Sequence, residues 1–71
     1  MVWVRIESEA GTTAALGRLF ARYGCPVEER GPGDLSVAFP EAATEREALA
    51  EARLYLSMGP ALRGTLRLGT A

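Results

Sequence analysis

The residues best suited to bind a ligand form a short run of mostly small and polar side chains near the amino terminus. The run stands between a predicted strand and a predicted helix, so it would form the amino end of that helix. A helix amino end presents backbone N–H groups and a positive dipole end, which attract an anion such as a carboxylate. The alternative is that these residues only cap the helix. The candidate ligand-binding residues are Ser8, Glu9, Ala10, Gly11, Thr12 and Thr13.

Catalytic side chains are scarce, because the chain contains neither histidine nor lysine, the groups most often recruited for catalysis at neutral pH. Its one cysteine, Cys25, has no histidine to ionise it, so we interpret it as a small buried apolar side chain. Glu28 and Glu29 are adjacent in an extended segment and point to opposite faces. Glu47 and Glu51 share a helix face, a spacing typical of a solvated surface. We therefore expect no catalytic residue and no enzyme activity.

Length and composition describe one small domain. The 71 residues are 48% apolar and form a single domain, residues 1–71. One cysteine and no histidine exclude an internal disulfide and the ordinary zinc sites, so we expect no cofactor and no metal. A net charge of −1 argues against a general nucleic-acid binder. With no export signal, and no apolar run near the roughly 18 residues of a membrane span, we expect a cytoplasmic protein without membrane contact.

Four strands are predicted from apolar and polar alternation. Val2 to Glu7 shows the period of a half-buried strand. Cys25 to Arg30 and Asp34 to Phe39 form a hairpin around Gly31-Pro32-Gly33, where proline sets one turn position and glycine supplies a positive φ at the next. Leu62 to Leu68 alternates again and predicts the last strand.

Two helices are predicted between these strands. The first carries apolar residues at spacings of three, four and seven and ends at Gly24. The second begins with a capping box, Thr44 and Glu47, and ends at Gly59-Pro60. The apolar positions of the first helix are Leu16, Leu19, Phe20 and Tyr23, and those of the second are Ala48, Leu49, Ala52, Tyr55 and Leu56.

The predicted order of strand, helix, strand, strand, helix, strand indicates an α+β fold. It is typical of a ferredoxin-like βαββαβ sandwich, in which a four-stranded antiparallel sheet carries both helices on one face. The predicted sheet residues facing the helices are Val2, Val4, Ile6, Val27, Leu35, Val37, Phe39, Leu62, Leu66 and Leu68. The opposite face is expected to be open and to show Trp3, Arg5, Glu7, Ser36, Ala38, Arg63, Thr65 and Arg67.

The first half of the chain resembles an ACT domain. The resemblance covers the run Ile6 to Gly11, the first helix, and Tyr23 to Glu28, with a loop glycine and a helix-ending glycine 13 positions apart, as Gly11 and Gly24 are. The second half is similar in the order and length of its elements. The family's loop commonly opens with an acidic residue and has proline before the glycine, where this chain has Ser8 and Ala10.

The ACT-like resemblance implies a non-catalytic regulatory module that pairs with a second copy. It also implies a site for an amino acid or a similar small anionic ligand near the first strand-to-helix loop. Gly11 is the position whose family role carries over directly, and we expect it to provide backbone access or a positive φ. The other residues of the loop are included in the expected site because they neighbour Gly11 in the sequence.

Two alternative functions would use surfaces of the protein away from this loop. Leu54 and Met58 lie about 140° and 180° around the second helix from Leu49, off its apolar stripe, so a monomer would expose them. Together with Trp3 and Arg5 they are candidate interface residues of a homodimer or of an assembly module that binds no small molecule. RNA-recognition motifs share the same element order, but they stack bases on aromatic residues of the two central strands. This chain offers Trp3 on one such strand and no aromatic residue on that side of the other.

Overall fold

The computed structural model of the protein describes residues 1–59 and 67–70. The described elements follow the predicted order, and a short 3₁₀ turn at Ala10–Thr12 leads into the first helix. The strands and helices are β1 (Val2–Glu7), α1 (Thr13–Arg22), β2 (Val27–Gly31), β3 (Asp34–Phe39), α2 (Glu45–Met58) and β4 (Arg67–Thr70).

The strands form one antiparallel sheet in the order β2-β3-β1-β4. On one side of β1, Val4 lies opposite Val37 and Ile6 lies opposite Leu35 of β3. On its other side, Ile6 lies opposite Leu68 of β4. The predicted α+β class, with a four-stranded antiparallel sheet and two helices, is therefore confirmed. Its assignment to the ferredoxin-like folds stays a prediction.

The core lies between one face of the sheet and the inner sides of both helices. Every second residue of β1 and β3 points toward the helices, and helix residues spaced three or four apart point toward the sheet. These two sets of side chains together form the core. The rings of Phe20 and Phe39 meet edge to face, with centroids 6.0 Å apart. The buried cluster contains Val4, Ile6, Leu16, Phe20, Cys25, Leu35, Val37, Phe39, Ala42, Ala48 and Ala52.

Both helices begin or end as their local sequence predicts. At the start of α2, Thr44 Oγ1 accepts a hydrogen bond from the Glu47 N–H at 3.2 Å. The Glu47 carboxylate reaches back one residue further than in the usual capping box and accepts from the Ala43 N–H at 2.7 Å. After α1, Gly24 has a φ of 81°. No helix within residues 1–59 and 67–70 is long and apolar enough to cross a lipid bilayer.

The sheet face away from the helices is less open than the sequence predicts. The alternation predicts exposed Ser36 and Ala38 on this face, yet their exposed fractions are 1% and 0%. Arg30 Nε donates to Ser36 Oγ at 2.9 Å, and Trp3 lies opposite Ala38. Longer side chains on the flanking strands cover the two small ones because cross-strand neighbours are about 5 Å apart. The prediction of exposure is therefore wrong for these two residues.

A second correction concerns Val27, which the sequence places in the core. Its exposed fraction is 36%, and the other residues of β2 up to Arg30 are exposed as well. The cause is the place of β2 at the edge of the sheet, beside β3 alone among the described strands. The prediction is wrong because alternation identifies the face of a residue but not the position of its strand in the sheet.

The last strand is described from Arg67 to Thr70, and so it continues two residues past its predicted end at Leu68. Leu68 is half-buried and packs against the core, as predicted. Arg67 is exposed and lies opposite Glu7 of β1. The predictions for residues 60–66, among them the core positions Leu62 and Leu66 and the open-face positions Arg63 and Thr65, lie outside the described residues.

Candidate functional site

The predicted ligand-binding run lies where β1 ends and α1 begins. Ser8 and Glu9 connect the strand to the 3₁₀ turn, and Thr13 is the first residue of α1. Glu9 and the turn residues Ala10 and Gly11 are exposed, whereas Thr13 is buried. The six predicted residues therefore form one continuous turn with an exposed rim and a buried end. We call Ser8–Thr13 the β1–α1 turn.

The β1–α1 turn is held against the β2–β3 hairpin by two hydrogen bonds, both at Gly33, and a third bond lies within the turn. Thr13 Oγ1 accepts from the Gly33 N–H at 2.7 Å and donates to the Ala10 carbonyl at 3.1 Å. The Ser8 N–H donates to the Gly33 carbonyl at 2.9 Å. Gly33 has a φ of 76°, and a Cβ at this position would overlap the Ser8 carbonyl oxygen. Glycine is therefore required here both by the backbone conformation and by the close approach of the turn.

Part of the predicted anion-binding capacity of the turn is used within the chain. The Thr12 N–H donates to the Glu9 carbonyl at 3.0 Å, and the Thr13 N–H donates to the Ala10 carbonyl. The Thr12 hydroxyl also donates to the Glu9 carbonyl, at 2.8 Å. A bound anion would have to compete with these bonds, so charged side chains near the turn matter more than its backbone.

Gly11 shows one of the two alternatives expected of it, backbone access or a positive φ. Among the described residues, positive φ values occur at the glycines 24 and 33, so Gly11 does not have the positive φ. Backbone access is present, because Gly11 is exposed and a Cβ placed on it would meet nothing within 4 Å. The position is open to a ligand without being conformationally restricted to glycine.

Two neighbouring clefts extend from the β1–α1 turn along α1 and the edge strand β2. The first, of about 470 Å³, includes Ala10 and Thr13 of the turn on one side and residues 29–32 of the hairpin on the other. The second, of about 430 Å³, lies between Gly17 and Ala21 of α1 and Val27 of β2. Ala14 and Glu29 line both clefts. The predicted loop residues thus border a larger groove, which we call the α1–β2 groove.

The α1–β2 groove carries charges of both signs. Arg18 lines its second cleft, and Glu29 lines both clefts. No ion pair within 4.0 Å joins Arg18 to Glu29. The α1 residues Ala14, Gly17 and Ala21, which line the groove near Arg18, are small. Their size leaves room for a ligand of a few heavy atoms. Sequence reasoning missed this groove because the nearness of α1 to β2 is a tertiary contact with no local pattern.

The four predicted interface residues fall on two separate surfaces. Trp3 and Arg5 lie on the sheet face away from the helices, and Trp3 is 38% exposed. Leu54 and Met58 lie on α2, each 54% exposed, on the side turned away from the core. The structure therefore does not bring them together into a single patch.

Arg5 is engaged within its own chain. Its Nε and Nη2 atoms donate to the two carboxylate oxygens of Asp34 at 3.0 and 3.1 Å. These hydrogen bonds, followed by the negative charge of Asp34, raise the pKa of Arg5 above its ordinary value. Trp3 is the one aromatic residue on this face within residues 1–59 and 67–70. A face with a single aromatic ring and a paired arginine does not favour base stacking.

Cys25 is a buried side chain, as predicted, with an exposed fraction of 4%. Burial raises the pKa of its thiol, and the negative charge of Glu51 raises it further. Burial also raises the pKa of Tyr55, and interaction with the Glu51 carboxylate raises it further. A thiol kept neutral in this way is a poor nucleophile. In the described part of the chain, no group of three or more His, Cys, Asp or Glu residues is placed to hold a metal ion.

Comparisons with known proteins identify no relative. No protein-family model matches the chain, and no curated protein or solved structure matches it either. The ACT-like resemblance stays a prediction. A function must therefore be argued from the β1–α1 turn, the α1–β2 groove and the exposed surfaces.

Proposed function

We propose that this protein is a non-catalytic, ACT-like regulatory or ligand-sensing module that binds a small molecule and acts as a homodimer. The observation that supports the proposal most directly is the α1–β2 groove, which opens beside the predicted loop. Ala10 and Thr13 of that loop line one of its clefts. Binding sites for small molecules are lined mainly by apolar groups with a few polar ones, and the lining of this open groove has that composition.

The ligand class follows from the charges in the groove. Arg18 would pair with a carboxylate and Glu29 with an ammonium group, while Ala14 and Gly17 leave space for the body of the ligand. A free α-amino acid carries both charged groups on the same carbon atom, its Cα. Exposed charge pairs contribute only about 0–1 kcal/mol each, so such a ligand would bind with modest affinity. Modest affinity suits a sensor of a metabolite present at high concentration.

A thermal-shift experiment tests this proposal. The purified protein is melted in the presence of each of the common free amino acids and, in separate samples, mononucleotides. A ligand that binds only the folded state raises the Tm, and we expect at least one amino acid to do so. Arg18→Ala and Glu29→Ala should each reduce that shift while the protein remains folded. A panel in which no amino acid raises the Tm would refute the ligand-sensing function.

Gly11→Val tests the role of the turn itself. Because a Cβ at Gly11 meets nothing within 4 Å, the variant should fold, and a branched side chain beside Ala10 should reduce the ligand-induced shift. Ala50→Val, at an exposed position of α2, is the matched control and should keep the full shift. An undiminished shift in Gly11→Val would place the ligand away from the turn.

An assembly module without a ligand is the second candidate function. The exposed Leu54 and Met58 on α2 favour it, since a partner that covers them would remove two large apolar side chains from water. This function predicts that the amino-acid panel has no effect on the Tm while Leu54→Ser and Met58→Ser weaken self-association. The ligand-sensing function predicts the reverse pattern.

A further inference from the structure

On the sheet face away from the helices, the chain entering β2 presents an apolar residue followed by two charged ones. Val27 faces α1, because its Cγ2 atom lies 4.0 Å from where a Cβ on Gly17 would stand. Strand residues alternate between faces, so the exposed Pro26 and Glu28 point away from the helices. Arg30 follows on the same face, where its Nε atom donates to a β3 hydroxyl at 2.9 Å. The order along this strand is therefore apolar, negative and positive.

β1 presents the same order on this face with the two charges reversed. Val4 and Ile6 are fully buried in the core beneath the helices, so Trp3, Arg5 and Glu7 point the other way. Their order along the strand is apolar, positive and negative. β1 and β2 run in the same direction, since each is antiparallel to β3. The two strands that flank β3 therefore match in their apolar residues and are opposite in their charges.

The two ladders of β3 bring the matching residues to the same level. Trp3 lies opposite Ala38, and the N–H of Ala38 donates to the Pro26 carbonyl at 2.9 Å on the other side. Arg5 and Glu28 likewise lie on either side of the serine at position 36 of β3. A two-fold axis that runs along β3 exchanges its two flanks. Such an axis would place β1 of each copy over β2 of the other, with the residues of each level in contact.

We propose that two copies of this chain pack these sheet faces against each other, about a two-fold axis that runs along β3. This inference rests on the homodimer of the proposed function and names its interface. Trp3 of each copy then lies over Pro26 of the other. Arg5 of each copy lies beside Glu28 of the other. Packed sheets stand about 10 Å apart with their strands within about 30° of each other, a distance that long side chains from both sheets span.

The charges identify a second copy as the occupant of this face. Arg5 can pair with another carboxylate while it keeps Asp34, because the guanidinium has five N–H groups and the bonds to Asp34 use two of them. The side chain of Arg5 is 48% exposed and that of Glu28 is 58% exposed, so both are accessible. Glu7 and Arg30 repeat the complementarity at the charged end of the face. Two-fold symmetry makes every one of these contacts occur twice.

The small size of the face predicts a weak dimer. Three strands at the usual spacing cover roughly 15 by 20 Å, or about 300 Å² in projection, against about 800 Å² per partner in a stable interface. We therefore expect a dissociation constant in the micromolar range. Sedimentation equilibrium of the wild-type protein measures it.

The fluorescence of Trp3 tests which face is covered, because this residue is the only tryptophan of the chain. Acrylamide quenching and the emission maximum are measured at concentrations below and above the dissociation constant. Dimer formation should reduce the quenching and shift the emission to shorter wavelength, since Pro26 of the second copy removes the indole from water. A dimer in which Trp3 is quenched as strongly as in the monomer would overturn this interface and leave the homodimer of the proposed function in place.

Charge reversals test the pairing of Arg5 with Glu28. Glu28→Arg and Arg5→Glu each place like charges together at both symmetric contacts, so each should weaken self-association by about tenfold or more. An equimolar mixture of the two variants restores opposite charges and should form a heterodimer of wild-type affinity. Circular dichroism checks that each variant is folded. Glu45→Arg and Arg53→Glu, exposed residues of α2, are the matched controls and should leave self-association unchanged.

A second pair of variants does not involve the bond between Arg5 and Asp34. Glu7→Arg and Arg30→Glu should each weaken self-association, and their mixture should restore it, for the same reason as the first pair. A dimer that persists unchanged in every one of these variants would overturn the interface. A wild-type protein that stays monomeric at millimolar concentration would overturn the interface and the homodimer together, whereas an amino-acid-induced Tm shift would survive either result.

Discussion

Three glycine-to-alanine variants separate backbone strain from steric overlap at the hairpin that supports the β1–α1 turn. Gly33 has a φ of 76°, and an added Cβ would overlap the Ser8 carbonyl oxygen. Gly24 has a φ of 81° with open space around its Cβ position. Gly11 has an ordinary φ and open space as well. An alanine would therefore meet both backbone strain and steric overlap at Gly33, strain alone at Gly24, and neither at Gly11.

The expected free-energy changes differ in sign and size. Gly24→Ala should destabilise the protein by about 1–2 kcal/mol, the cost of a left-handed conformation for a residue with a Cβ. Gly33→Ala carries that cost and also displaces the turn from the hairpin. That displacement weakens the Ser8 N–H bond to Gly33 O and the Gly33 N–H bond to Thr13, each worth about 1 kcal/mol. We therefore expect a loss of about 3–4 kcal/mol for Gly33→Ala.

The third variant should be neutral or stabilising. Gly11→Ala reduces the conformational entropy of the unfolded chain, which stabilises the folded state by about 0.4–1 kcal/mol when the native φ suits alanine. A chain of 71 residues has a total stability of about 4–10 kcal/mol by the usual value per residue. Gly33→Ala therefore removes a large part of the total, whereas Gly11→Ala should raise the midpoint of unfolding.

Urea unfolding followed by circular dichroism measures these differences. The midpoints should fall in the order Gly11→Ala, wild type, Gly24→Ala, Gly33→Ala, with similar slopes if all four chains unfold from the same fold. Equal losses for Gly24→Ala and Gly33→Ala would show that the Ser8 carbonyl does not approach Gly33 closely. That result would refute the anchoring of the turn to the hairpin.

Three further predictions concern the core and a helix end. Thr44→Ala removes the acceptor of the Glu47 N–H and should lower the free energy of unfolding by about 1 kcal/mol in urea titrations. Phe20→Ala should lower it by about 3–5 kcal/mol, far more than Tyr23→Ala, because Phe20 is fully buried and Tyr23 is 38% exposed. The pKa of Cys25 is raised in the folded state, so the unfolded chain ionises first and stability should fall as the pH rises above about 9.0. A Cys25→Ala variant should lose that part of the pH dependence, which urea titrations between pH 7 and 10 would reveal.

Each of these has a clear contrary result. A Thr44→Ser variant keeps the hydroxyl and should stay near wild type, so an equal loss in both threonine variants would contradict the cap. Similar losses in Phe20→Ala and Tyr23→Ala would contradict the burial difference. A pH dependence that is unchanged in Cys25→Ala would contradict the shifted thiol.

Much of the fold could be predicted because its signals are local. The alternation from Val2 to Glu7 is confirmed as β1, and the alternation at Leu35, Val37 and Phe39 is confirmed as the inward face of β3. The capping box at Thr44 is confirmed as the start of α2. Each signal depends on residues within one turn or one strand, where covalent geometry limits the possible conformations.

The site was predictable only in part. The sequence placed the β1–α1 turn correctly between a strand and a helix, but it did not show that Thr13 bonds to Gly33, twenty residues away. It also did not show that Glu29 and Arg18 border one groove. Both facts depend on which elements become neighbours when the sheet forms, and no short window of sequence contains that information.

The sequence by itself determined the elements, their order and the apolar face of each, because those follow from side-chain periodicity and backbone preference. Only the tertiary structure decided that β2 is an edge strand with Val27 exposed, and that Ser36 and Ala38 are covered by neighbouring side chains. It likewise paired Arg5 with Asp34 across two strands. The physical reason is that burial and pairing depend on what lies beside a residue in space, whereas periodicity reports only the direction in which the residue points.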